Sequence, residues 1–427
     1  MESQKLNTKI DHLFRKESGK MVSVLVNIFG SSNLELAEDV VQNTLIKALE
    51  VWKYKGIPDN PSGWLYRVAK NNALDIIRRE KRSELFDFSD PKRQLLTSEY
   101  TLPVVLNNFW ESDQIEDDFL GMMFACCHPE ISKENQVTFI LKTLCGFSTK
   151  EVARSFITTE DIISKRIYRT KEHFRKNQIY PTIPTGEELE SKLGVICSVI
   201  YLMFNAGYSA SHNNMEVREE VISQALFLGK ALLDNEKTAY PEVYALMAVM
   251  CFHSARLKSR SSDKDEQILL ANQDRSLWNV ELINLGLSYL AKANEGDRIS
   301  MYHYEALIAR EHCISPTYEA TNWTAILAIY DQMLTHKFDP IVYLNRTLAL
   351  MEAEGPKKAL LEMKKVAENK HLKKYSLFHA GLGEIHLRLN EYRKAKACLN
   401  EAILLTNSLT EKAFLEKKIK ELNSKLS

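Results

Sequence analysis

Glycine and proline are scarce, with 15 and 11 in 427 residues. So few turn-forming residues argue against a β-sandwich, and abundant Leu, Ala, Glu and Lys favour helices. No charge of one sign prevails, because 56 Lys+Arg balance 56 Asp+Glu. Any nucleic-acid surface must therefore be local and offset by acid elsewhere. Seven cysteines, an odd number without framework spacing, exclude a disulfide scaffold. They read as reduced thiols in a cytoplasmic protein. Met1 to Lys20 is polar and charged, so no signal peptide is expected. The longest clean apolar run, Val22 to Phe29, falls far short of the ~20 residues that span a bilayer, and no membrane partner is expected. P-loop, G-x-S-x-G and H-E-x-x-H motifs are all missing, so neither an enzyme nor a cofactor is expected. Cys126, Cys127, His128 and Cys145 lack the C-x₂-C geometry that converges on a tetrahedral ion; they read as buried structural thiols and no metal site is assigned.

What is present is helical periodicity, interrupted twice. Helical patterning weakens from about Leu85 to Asp118, and Pro181, Pro184 and Gly186 break Asn177 to Gly186. The chain thus reads as segments 1–84, 116–176 and 187–427, with linkers at 85–115 and 177–186. In the first, Ala37, Val40, Val41, Leu45, Ala48, Leu49 and Trp52 form one buried stripe, with Asn33 able to cap the helix and Gly56 ending it. A second helix from near Ser62 to Arg82 buries Leu65, Val68, Ala69, Ala73 and Ile76. Its opposite face carries Arg67, Asn71, Asp75, Arg78 and Arg82, flanked by Lys70, Arg79 and Lys81. Between Trp64 and Arg82 there are six basic and two acidic residues. Guanidinium groups neutralise phosphates, an Asn amide reads a base edge, and aromatics such as Trp52, Trp64 and Tyr66 can stack on unpaired bases. A solvated helix face is the plainer alternative.

The second segment ends in a helix-turn-helix pattern. Ser132 caps a helix closed by Gly146, Ser148 and Glu151 form a capping box, and a longer helix starts at Glu160 after the turn at Ile157 to Thr159. Its basic outer face supplies donors suited to major-groove acceptors and phosphates. The third segment is helix after helix. Leu382-Gly383, Asn390-Glu391-Tyr392, Ala395 and Ala402 match tetratricopeptide positions, and Gly355-Pro356 with Ala359 echoes them earlier. A plain helical bundle is an equal alternative for residues 187–310.

The order of these pieces resembles a family. Asp39 to Ala48 resembles region 2.2 of bacterial sigma factors, Trp64 to Arg79 resembles regions 2.3 and 2.4, and Gly146 to Lys171 resembles region 4. The missing region 3 is similar to the extracytoplasmic-function (ECF) group. Tyr201 to Ala210, Gln273 to Trp278 and Ala125 to Pro129 resemble the subgroup with a C-terminal tetratricopeptide-like extension. The resemblance implies an all-α protein: two small helical sigma domains and a large C-terminal helical domain. It implies binding to core RNA polymerase through Asp39, Gln42, Asn43 and Lys47; Asn43 stands where the family often has an acid. It implies reading and melting of a promoter −10 element by Arg67, Lys70, Asn71, Asp75, Arg78 and Arg79. Ser164, Lys165, Arg166, Tyr168, Arg169 and Lys171 would read the −35 element as duplex DNA. The C-terminal domain would regulate these activities, through an intramolecular contact or a protein partner. The alternative from another class is a helix-turn-helix regulator with a helical effector- or partner-binding domain.

Overall fold

The computed structural model describes residues 2–80, 96, 101–156, 158–177, 179, 181–209, 215–260, 268–296, 298–336, 338–366, 372–406 and 409–426. Lys81, Arg82, Asp90-Pro91, Ile157 and Ala210 lie outside the described residues. Every regular element among the described residues is helical, so the fold is all-α. Two compact units are present: residues 1–208 with 216–238, and residues 209–215 with 239–427.

The first unit is built around α1 (Glu2–Phe29). Its second half is apolar on nearly every side, and Met21, Val22, Val24, Leu25, Val26, Ile28 and Phe29 are all buried. A helix apolar all round belongs in a core, and α1 accordingly contacts α2 (Leu34–Lys55), α3 (Pro61–Glu80), α5 (Ser112–Cys126) and α6 (Lys133–Thr143). A short α4 (Leu102–Phe109) lies between α3 and α5, with Pro103 in its first turn. Then α7 (Thr149–Ser155) and α8 (Glu160–Asn177) follow. The unit is completed by α9 (Glu187–Ser209) and α10 (Met215–Asp234). Phe119 of α5 meets Phe227 of α10 at 5.7 Å between ring centroids. Helix α9 departs from the expectation of short apolar runs. By length and composition Glu187–Tyr208 could cross a membrane, the one such helix among the described residues. Its Leu193, Ile196, Cys197, Ile200 and Phe204 are buried within the unit.

Local sequence explains most helix ends. Gly56 closes α2 at φ 76°, and Gly146 follows α6 at φ 68°, both in the left-handed region that glycine enters without a Cβ penalty. Ser132 caps α6 by accepting from the Asn135 N–H. Asn33 precedes α2 as expected, but its amide donates to the Phe29 carbonyl at 2.9 Å instead of capping. The α2 stripe is also narrower than expected. Leu49 is exposed, and Thr44 takes an interior place, donating its hydroxyl to the Val40 carbonyl at 2.8 Å. In α3 the fully buried line is Leu65, Ala69, Ala73 and Ile77; Val68 and Ile76 are half-buried.

The second unit runs from α11 (Pro241–Ala255) through α12 (Val280–Ala293), α13 (Met301–Ile314), α14 (Trp323–His336), α15 (Pro340–Glu354) and α16 (Pro356–Val366). It ends with α17 (Ser376–Arg388), α18 (Tyr392–Leu405) and α19 (Leu409–Leu426). Two helix pairs turn through a residue of positive φ. Gly355 links α15 to α16 at φ 94°, and Asn390 links α17 to α18 at φ 58°. Ala395 and Ala402 are fully buried, and a Cβ on Gly383 would lie 3.0 Å from Leu399. Small residues at these places let α17 and α18 approach closely. His303 is a buried cap: its Nδ1 accepts the Ser300 N–H at 3.0 Å and its Nε2 donates to the Ala293 carbonyl.

The Gln273 to Trp278 motif is a latch. The Arg275 guanidinium lies 4.4 Å over the Trp278 ring and donates to the carbonyls of His312 and Ser315 at 2.6 and 2.7 Å. Trp278 Nε1 in turn donates to Ser259 Oγ at 2.8 Å. Two charge-assisted bonds to the end of α13 are lost together in Arg275→Ala. About 1.5–3 kcal/mol of stability should go with them, read as a lower urea midpoint. An unchanged midpoint would show that the latch contributes nothing.

Candidate nucleic-acid interface

Three helices of the first unit carry the residues singled out by sequence. On α2, Asp39, Gln42, Asn43 and Lys47 are all exposed. Exposed Ile46 and Leu49 lie among them, at 54% and 51%. That mixture of apolar and polar groups is suited to a protein partner rather than to water alone. The buried edge of α2 is fixed by Val40, Val41, Ala48 and Trp52. Trp52 packs edge-on against Trp64 of α3 at 5.4 Å, and Phe14 of α1 approaches it from 5.7 Å. Trp64 is therefore half-buried packing between α2 and α3.

On α3, Arg67, Asn71, Asp75, Arg78 and Arg79 are exposed. Lys70 is half-buried and donates to Asn107 Oδ1 of α4 at 2.8 Å. Tyr66, one of the aromatics expected near a nucleic acid, is engaged elsewhere. Its hydroxyl donates to the buried carboxylate of Glu17 on α1, whose other oxygen accepts from Ser62 at 3.0 Å. Burial, then the Glu17 charge, pushes the Tyr66 hydroxyl far above its ordinary range, so it stays a donor. Glu17 was missed by sequence reasoning, because a carboxylate in a half-polar helix gives no sign that it turns inward.

On α8, Ile163 and Phe174 are buried, while Ser164, Lys165, Tyr168 and Arg169 are exposed and Arg166 is half-buried. Lys165 pairs with Asp161 one turn earlier at 2.7 Å. Ser164 donates its hydroxyl back to the Glu160 carbonyl at 2.8 Å. Lys171 stands apart from the others. Its ammonium lies 2.6 Å from Glu38 and 3.8 Å from Glu35, both on α2. Thus the basic face of α8 and the acidic shoulder of α2 meet within one unit.

A second contact ties α1 to α7 and α10. Arg15 of α1 bridges Glu151 of α7 at 2.6 Å and Glu220 of α10 at 2.7 Å, with its guanidinium 4.9 Å above the Phe147 ring. Glu151 also closes the capping box: it accepts the Ser148 N–H at 2.7 Å, and the Ser148 hydroxyl accepts the Glu151 N–H at 3.2 Å. Burial pushes the Glu151 carboxyl up, but the Ser148 and Arg15 hydrogen bonds outweigh it, and the net value lies below the ordinary range. A depressed carboxyl stabilises the fold above its unfolded value, and that contribution is lost as pH falls through the folded value. Arg15→Ala is therefore expected to cost on the order of 1 kcal/mol at pH 7. The gap to wild type should shrink below about pH 4, in urea melts run across pH. A gap independent of pH would assign the loss to Phe147 packing.

Comparison with known proteins bears on these helices directly. Residues 13–83, which take in the later part of α1 and all of α2 and α3, match the sigma-70 region 2 family. That match supports a sigma-factor role in transcription initiation, with core RNA polymerase and promoter DNA as partners. Residues 192–294 match a family of unknown function (DUF6596). An uncharacterized protein of Rhizobium meliloti (strain 1021) is 29% identical over 390 residues, covering 91% of this chain and 90% of that protein. No solved structure matches.

Proposed function

We propose that the chain is an ECF-type sigma factor of the cytoplasm that directs core RNA polymerase to particular promoters. The observation that carries this is the match of residues 13–83 to sigma-70 region 2, together with two separate exposed faces on that segment. The α2 face, with Asp39, Gln42, Asn43 and Lys47 around Ile46 and Leu49, is the polymerase-docking surface. The α3 face, with Arg67, Asn71, Asp75, Arg78 and Arg79 and with Lys70 beside it, holds the −10 element. A base must leave the stack to be read, at a cost of a few kcal/mol, and charge on α3 holds the extruded strand.

Helices α7 and α8 serve as a helix-turn-helix for the −35 element. Ser164, Lys165, Arg166, Tyr168 and Arg169 enter the major groove, and Lys171 joins them by exchanging Glu38 for a phosphate. Supporting this reading are the capping box that starts α7 and the exposed basic face of α8. The tetratricopeptide-like regulatory domain expected over 187–427 is the second unit, without α9 and α10, which belong to the first; the small buried residues Gly383, Ala395 and Ala402 between α17 and α18 support it.

The deciding experiment is run-off transcription on genomic fragments with purified core polymerase. The full chain should yield discrete transcripts that core polymerase alone does not make, and should co-purify with the core enzyme. Duplex DNA binding without polymerase binding would instead favour a helix-turn-helix regulator.

A further inference from the structure

The turn after α5 and the second half of α8 bring three ligating side chains together outside the surfaces described above. His173 Nε2 lies 3.3 Å from His128 Nδ1, with the rings 5.0 Å apart. Glu130 Oε2 approaches His173 Nδ1 at 3.8 Å. One ligand atom from each of the three residues lies within 4.8 Å of the other two. A Zn–N bond is about 2.0–2.1 Å, so neighbouring ligands on a tetrahedron sit about 3.3–3.4 Å apart. The histidine pair already has that separation. The Glu130 side chain is 69% exposed and free to rotate the remaining distance.

Two features suit the pair to a metal. The Asn177 amide lies 2.9 Å from His173 Nδ1. With its oxygen turned to the ring, it accepts the Nδ1 proton and leaves Nε2 for a ligand bond, as outer partners of metal-bound histidines do. The backbone of His128 is anchored as well, because Gln136 donates to its carbonyl at 2.9 Å.

We infer that His128, Glu130 and His173 form a binding site for a borderline divalent cation such as Zn²⁺ or Co²⁺, with water in the fourth position. Two imidazoles and one carboxylate disfavour Ca²⁺ and Mg²⁺, which take oxygen ligands. The site differs from the Cys-Cys-His cluster considered in the sequence, since Cys126, Cys127 and Cys145 are fully buried thiols. A bound ion would staple the 127–131 turn to the helix that carries Ser164 to Lys171.

The test uses the full chain, stripped by chelator and titrated with Co²⁺, then with Zn²⁺ in competition, with no polymerase or DNA present. Its failure is therefore distinct from failure of the sigma-factor reading. The expected result is visible d–d absorption of four-coordinate Co²⁺ without a thiolate charge-transfer band, displaced by Zn²⁺ at micromolar concentration. His128→Gln and His173→Gln should each weaken Co²⁺ binding at least tenfold, with far-UV circular dichroism unchanged. If either substitution disturbs the fold, Glu130→Gln at the exposed position should still weaken binding. A thiolate band, unchanged affinity in the His128→Gln/His173→Gln double variant, or no binding below 100 micromolar would each overturn the assignment.

Discussion

Asn71→Ala is expected to cut promoter-specific run-off transcription by at least tenfold while leaving binding to core polymerase unchanged. Asn71 sits on the exposed face of α3, and the residues that bury that helix, Leu65, Ala69, Ala73 and Ile77, lie on its other side. The substitution therefore removes a surface amide and leaves the fold intact. In the proposed reading, that amide pays back part of the unstacking cost by binding the extruded base, a contact worth about 1–3 kcal/mol. Permanganate footprinting should show reactive thymines near the start site with wild type and few with the variant. A template carrying a pre-opened −10 bubble should restore much of the transcript, because the lost step has been supplied. Full activity of Asn71→Ala on duplex template would remove Asn71 from strand opening.

Gly19→Val should unfold the first unit or shift its urea midpoint further than any other single change described. A Cβ at residue 19 would lie 2.0 Å from the Leu144 carbonyl oxygen and 2.8 Å from its Cα. These are backbone atoms at the end of α6 and cannot swing aside as a side chain does. The helices must separate, and overpacking of this kind costs about 1–3 kcal/mol or more. Separation also pulls Arg15 away from Glu151 and from the Phe147 ring. Gly19→Ala is the milder test. A wild-type midpoint for Gly19→Ala would show that α1 and Leu144 do not approach this closely.

Much of this structure was legible in the sequence where the cause was local. The capping box at Ser148 and Glu151 spans three residues, and its two hydrogen bonds form as the spacing implies. Gly56, Gly146 and Gly355 end helices or turns with positive φ, which their residue type anticipates. The all-α class follows from scarce glycine and proline. What stayed hidden depends on partners far along the chain. Arg15 and Glu151 are 136 residues apart, and Glu38 and Lys171 are 133 apart. Nothing in either helix alone tells which charge is turned toward another element and which toward solvent. The same limit hid Glu17 beneath Tyr66, and it hid His128 beside His173. Leu49 shows the opposite failure. Its place in the apolar stripe is correct by periodicity, yet the neighbouring helices cover a narrower arc and leave it exposed.

The way α10 returns to α1 has a consequence for the order of synthesis. Glu220 and Phe227 complete contacts with Arg15 and Phe119, so the first unit includes residues 216–238. A ribosome adding about 5–20 residues per second needs several seconds to pass from the end of α8 to that point. During that interval the newborn α1 and α5 present apolar and charged surface without its cover. A cut after Pro184 would make the interval permanent, so any shortened chain meant to retain the first unit should end beyond Thr238.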